Sequence, residues 1–191
     1  MTYEIVKYGD PVLREPAARI AAVTEEIRTL AKDMLATMHA ANGLGLAAEQ
    51  VGRTESICVV DVPREMDEDK ETGAPENPDV KMPLVLLNPE ISEQSGRDVR
   101  DEGCLSFPEI YAKVQRAKEI TVAYQDAAGA EHKTRVRGLL ARAIQHEVDH
   151  LNGVLLADRV SPVAKVTLAG KFKRLSRQTR ERLAARAAGD Q

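Results

Sequence analysis

The sequence predicts an α+β fold: antiparallel strands packed around a central helix that carries a metal-binding H-E-x-x-H motif, with a further helix at the C-terminal end. Three observations predict it. Gln145-His146-Glu147-Val148-Asp149-His150 sets two histidines four residues apart, one helical turn, on one face. Helical spacing of apolar residues recurs near the start of the chain, around this motif and after Pro162. Between these stretches lie short β-branched runs separated by Asn, Gly, Pro and Asp.

Taken in order, Tyr8-Gly9-Asp10-Pro11 reads as a turn. Thr24 can cap a helix whose first turn holds Glu25 and Glu26. Ile27, Leu30, Met34, Leu35, Met38 and Ala41 form its apolar stripe, His39 falls outside it, and Asn42-Gly43 ends it. Gly43-Leu44-Gly45-Leu46-Ala47-Ala48-Glu49-Gln50 is a loop of small residues ending in a polar amide, which brings backbone close to something. No Lys-Ser/Thr follows, so it is not a phosphate-binding P-loop. Ile57-Cys58-Val59-Val60 predicts a buried strand, with Cys58 as a small core residue.

Residues 64–81 hold seven acids against three bases, with Gly73, Pro75 and Pro78 among them. This composition predicts a mobile surface insertion. Leu84-Val85-Leu86-Leu87 predicts a strand stopped by Asn88-Pro89. Cys104 falls in a predicted loop between Gly103 and Pro108. Residues 119–124 and 133–137 alternate around an Asp-Ala-Ala-Gly turn, the pattern of a hairpin.

A helix is predicted over 138–151. Leu139, Ala143, His146 and His150 share one stripe; Leu140, Ile144 and Leu151 form the core-facing one; Asn152-Gly153 stops it. A solvated helix with two unrelated histidines is the plain alternative, and the intervening glutamate argues against it. Residues 154–156 read as extended. Ser161-Pro162 caps a C-terminal helix that docks in part and otherwise protrudes.

At 191 residues, 43% hydrophobic and 30% charged, the chain is expected to form one domain, 1–191. No apolar run is long enough to span a bilayer, and the N-terminus shows neither a basic lead nor an apolar core of a signal peptide. A cytoplasmic protein without membrane partners is the expectation. Two cysteines are too few for a disulfide framework. The net charge of −3 hides an asymmetry: residues 162–188 carry eight basic residues against Glu181 alone, a net +7 that leaves −10 for the rest. A basic tail on an acidic body suits a polyanionic partner.

The chemistry read from the residues is that of a metal site. His146 and His150 can hold one ion, and Glu147 can exchange a proton with a nearby water. For Cys104 two readings stand, a buried structural thiol and a metal-bound thiolate; the surrounding acids do not favour a free nucleophile.

Three stretches together resemble the peptide deformylase family. Gly43–Gln50 is similar to its GxGLAAxQ motif, Glu102-Gly103-Cys104-Leu105-Ser106 to EGCLS, and His146–His150 to HExDH, in the family's order. Tyr8–Arg14 looks like the family's usual start. The resemblance spans roughly residues 3–162 and implies removal of the formyl group from the N-formylmethionyl end of nascent polypeptides, releasing formate. It implies Cys104, His146 and His150 as metal ligands and Glu147 as the proton-transferring carboxylate. It also implies Gln50 and the backbone N–H of Leu105 as donors to the developing oxyanion. Gly45 would lie against the substrate, and Leu44 and Leu139 would line the methionine slot; the helix stripe adds Ala143.

The family implies Fe(II) in the cell. Zn(II), Ni(II) or Co(II) could occupy the same ligands, and raw affinity favours zinc over iron. It also implies, for some members, ribosome contact through the basic C-terminal helix. A monomer is expected. The sequence departs from compact members in the 64–81 segment, and Tyr111 stands where some carry an arginine. A zinc metallopeptidase would take its third ligand from a residue after the motif, but no histidine follows His150. A non-catalytic ribosome-binding module would have no need of Glu147 and Gln50.

Overall fold

The computed structural model describes residues 1–69 and 71–189; Lys70, Asp190 and Gln191 lie outside the described residues. The organising sheet has five antiparallel strands in the order β1-β2-β3-β6-β7. These are β1 Gly45–Ala47, β2 Ile57–Val60, β3 Leu84–Ser95, β6 Glu119–Gln125 and β7 Glu131–Arg137. A separate hairpin pairs β4 Asp98–Cys104 with β5 Phe107–Arg116.

All four residues of β2 are buried because the sheet is covered on both faces there. Period-two alternation sends Ile57 and Val59 toward α1 (Glu25–Ala40), where Leu30, Met34 and Met38 meet them. It sends Cys58 and Val60 toward α2 (Gly138–Leu151), against Leu140 and Ile144. Helix α2 is therefore a central element, with twelve of its fourteen residues buried. Thr24 caps α1 by accepting from Ile27 N–H.

A third cluster joins the β4–β5 hairpin to the end of the chain. Phe107, Ile110 and Val114 pack with Leu155 and Leu156 at the start of α3 (Leu156–Arg159) and with Phe172 of α4 (Pro162–Gly189). Tyr8 stacks on Phe107 at 4.6 Å between ring centroids, and Phe172 meets Phe107 edge-on at 5.8 Å. Helix α4 docks through Phe172, whereas Val163 and Val166 stand exposed. No helix among the described residues is long and apolar enough to cross a membrane.

Four local expectations are corrected. Asn88-Pro89 does not stop β3; the strand shifts register between Leu87 and Glu90 and runs on to Ser95. The reason is the Asn88 side chain, which accepts from Ile20 N–H and donates to Ile20 O, supporting a left-handed φ of 51°. Cys104 ends strand β4 instead of lying in a loop. Leu155 is not followed by extended chain: Asp158 accepts from Leu155 N–H and turns 156–159 into a short helix. In the 64–81 segment, Asp67 and Asn77 are buried and tied to the rest of the protein, which a mobile insertion would not be.

Candidate metal centre

The tip of the β4–β5 hairpin meets the site-facing side of α2. The ligand atoms of Cys104, His146 and His150 all lie within 4.8 Å of one another, and Cys104 Sγ is 3.3 Å from His150 Nε2. One thiolate and two imidazoles form a donor set suited to a single divalent first-row ion with a further position open.

The atoms behind the ligands are arranged for the same purpose. Glu102 Oε2 lies 3.1 Å from His146 Nδ1, which leaves Nε2 for the cluster. Glu102 also accepts from Arg116 Nε and Nη2 at 3.0 Å each, and from Arg142 Nη1 at 2.5 Å. Arg116 reaches on to Asp149, which Arg159 also binds. Burial alone would raise the Glu102 pKa, but the His146 and Arg116 hydrogen bonds outweigh it and hold the group at about 2. Burial pushes His150 well below the usual histidine range. Burial would do the same to His146, but hydrogen bonds to Cys104 and Glu102 carry it well above. Of the two imidazoles, His146 thus favours its proton and His150 the neutral form, and a bound cation would take the place of that proton.

Glu147 follows His146 and is almost fully buried. Burial pushes its pKa up to about 7, opposed by His146 and Arg116. Among the described residues its Oε2 has no hydrogen-bond partner, and Glu147 is one of the residues that line the cavity. Gly45 makes room for it, since a Cβ there would sit 2.3 Å from Glu147 Oε1. The family resemblance implied that Gly45 lies against substrate; the geometry adds this second demand for a residue without a side chain.

Gln50 sits in the 3-10 turn Ala48–Val51. Its Oε1 accepts from Ala47 N–H at 2.9 Å, which turns Nε2 toward Cys104 Sγ (3.5 Å) and Ser106 Oγ (3.3 Å). Lys7 Nζ holds the Leu105 carbonyl at 2.8 Å, and Val6 N–H holds the Gln50 carbonyl at 2.8 Å. These contacts from the N-terminal segment fix both candidate donor positions. The motif spacing gave no sign of Lys7, nor of Arg116 and Arg142, because their partners are distant in sequence. Glu102 stood inside a recognised motif without a role assigned.

A cavity of about 560 Å³ opens onto this cluster. Leu44, Gly45, Gln50, Leu105, Leu139, Ala143, His146 and Glu147 line it together with Cys104, while His150 lies behind them, 1% exposed. The candidate metal, catalytic and substrate-facing residues named from the sequence are thus gathered at this one place. A larger polar cleft of about 760 Å³ lies elsewhere, between β3, β5 and α2, and holds none of the ligand residues.

A family model described as polypeptide deformylase matches residues 2–166. The chain belongs to this family. It is 47% identical over 184 residues to a peptide deformylase of Opitutus terrae, covering 94% of this chain and 96% of the relative. Among solved structures it is similar to the peptide deformylase of Thermotoga maritima, with TM-score 0.74 and 39% identity over 85% of this chain and 99% of the other. The Ehrlichia chaffeensis peptide deformylase gives TM-score 0.79 and 37% identity over 91% and 96%. The protein is accordingly a hydrolase that removes the formyl group from the N-terminal N-formylmethionine of newly made polypeptides, and it uses a divalent metal.

Proposed function

We propose that Cys104, His146 and His150 bind one Fe(II) ion in the cell and that Glu147, Gln50 and Leu105 carry out deformylation around it. The convergence of one sulfur and two nitrogen ligand atoms within 4.8 Å, at the floor of a cavity containing a buried carboxylate, supports this reading. When bound, the ion supplies Lewis acidity that makes a water nucleophilic near neutral pH and polarises the formyl carbonyl.

Glu147 takes the proton that this water gives up as it attacks the formyl carbon, and returns it to the departing amine nitrogen. Its pKa of about 7 before any cation arrives suits both steps, since acceptor and donor forms are then close in energy. The carbonyl oxygen gathers charge as the water adds. Gln50 Nε2 and the Leu105 N–H are the donors for it, each worth about 2.7–4 kcal/mol of barrier in comparable sites. Their positions are set in advance by Ala47, Val6 and Lys7, so little reorganisation accompanies the step. Leu44, Leu139 and Ala143 form the apolar slot for the methionine side chain, with Gly45 beside it.

We assign the whole chain to one catalytic domain that works as a monomer in the cytoplasm. The basic α4 would contact ribosomal RNA, since it exposes Lys171, Lys173, Arg174, Arg177 and Arg180 along one element. Salt-sensitive cosedimentation with ribosomes that is lost on truncation after Pro162 is the expected result; binding indifferent to salt would reject it.

The activity is tested by formate release from a formyl-Met peptide, with the unformylated peptide as product and no internal cleavage. Protein prepared without oxygen and loaded with Fe(II) is expected to outpace the zinc form. Full activity in a zinc-only sample would count against iron.

A further inference from the structure

The acidic segment between β2 and β3 has no part in the reaction as described, yet it reaches the first residues of the metal helix. Asp67 and Asn77 are both 7% exposed and face each other: Asn77 N–H donates to Asp67 Oδ2 at 3.1 Å and Asn77 Nδ2 to Oδ1 at 2.7 Å. The rest of the Asn77 amide grips the backbone of Arg137. Its Oδ1 accepts from Arg137 N–H at 3.0 Å and its Nδ2 donates to Arg137 O at 3.1 Å.

Arg137 is the N-cap of α2 and provides no side-chain cap of its own. Its guanidinium Nε instead donates to Glu76 O at 2.9 Å, closing the latch from the other side. Gly138 follows with φ of 63°, and the Glu76 carboxylate occupies the space where a Cβ on Gly138 would project. A carboxylate at a helix N-terminus is also favoured by the helix dipole. The next residue is Leu139, and one turn on is Ala143; both line the cavity.

We propose that residues 67–77 act as a latch that sets the position of Leu139, and through it the shape of the methionine slot. This rests on reading Leu139 as part of that slot. Asp67 locks the Asn77 amide, Asn77 pins the end of β7, and Glu76 fills the hollow over Gly138, so the direction in which α2 starts is fixed from outside the helix. The ligand residues of α2 lie two and three turns further on, where His146 is tied to Glu102 and Asp149 to Arg116, and do not depend on the latch. Asn77 and Asp67 are positioning residues that act through Leu139; neither belongs to the cavity lining.

The test compares Asn77→Ala and Asp67→Asn with the unaltered metal-loaded enzyme, on formyl-Met and formyl-Ala tripeptides of otherwise identical sequence. Asp67→Asn keeps the volume and sets two amide donors against each other, so it carries the test should Asn77→Ala fold poorly. The expected result is a KM for the formyl-Met peptide raised about fivefold, with the preference for Met over Ala reduced in step. The kcat stays within about twofold and the metal content is unchanged, as for loss of binding that is uniform between ground and transition states. KM and preference within twofold in both variants overturn the proposal. So does a rise of KM accompanied by a fall of kcat and metal content, which would make the segment a general prop of the fold. Failure of the unaltered enzyme to process any formyl-Met peptide would instead overturn the functional reading itself.

Discussion

Glu49 and Glu102 are both buried glutamates near the metal centre, and the protein treats them in opposite ways. Glu102 accepts from two guanidinium groups and lies beside His146, and its pKa is held at about 2. Glu49, in the turn that carries Gln50, is fully buried, and among the described residues neither of its carboxylate oxygens has a hydrogen-bond partner. Burial pushes it up to about 8, with Glu147 and Glu55 adding repulsion. The same side chain at similar depth is therefore ionised in one place and neutral in the other. Partners decide the charge state, and depth alone does not. Glu147 stands between these extremes at about 7.

That ordering can be broken at each position. The largest effect is expected for Glu147→Gln, which should lower turnover by about 10²–10⁴ while the metal stays bound, read from steady-state kinetics and metal analysis. Arg116→Met should come next. It leaves Glu102 and Asp149 short of a partner in the interior, a change that typically costs about 3–5 kcal/mol, measured by denaturant unfolding.

The two contrasting glutamates should then give opposite pH dependences of stability. Glu102 has a folded pKa below its unfolded value, so its contribution is full above about pH 4.5 and is lost as pH falls toward 2. At about 1.36 kcal/mol per unit, this amounts to about 3 kcal/mol. Glu49 has a folded pKa above its unfolded value, so it holds a proton that the unfolded chain releases. Stability is then lost as pH rises from about 4.5 to 8. Glu49→Gln removes that dependence and should stabilise the protein by about 2–3 kcal/mol at pH 7 and by little at pH 4. Unfolding curves across this range that run parallel for both proteins would contradict the assignment. The smallest effect is expected for Arg177→Ala on exposed α4, within about 0.5 kcal/mol.

What the sequence made legible was local or periodic. The stripe of Leu140, Ile144 and Leu151 announced the buried face of α2, Thr24 announced the start of α1, and the turn at Asp126 announced the β6–β7 hairpin. The candidate site was legible because its parts fall in three short stretches, each with a recognisable order of residues. What stayed hidden depended on side chains meeting across long separations. Asn88 reads as a strand breaker until Ile20 is seen beside it. Arg116 and Arg142 look like solvated charges on a strand and a helix until Glu102 and Asp98 are placed between the elements. Asp67 and Asn77 look like any residues of an acidic loop until the start of α2 is set against them. Phe172, one of only two phenylalanines, passed as part of a basic helix although it anchors that helix on Tyr8 and Phe107.

X-ray absorption at the metal edge, on protein purified without oxygen, addresses the centre most directly. One ion per chain, bound by one sulfur and two imidazole nitrogens from the protein, with the sulfur signal lost in Cys104→Ser, is the predicted result. An ion whose coordination shell contains no sulfur would contradict it.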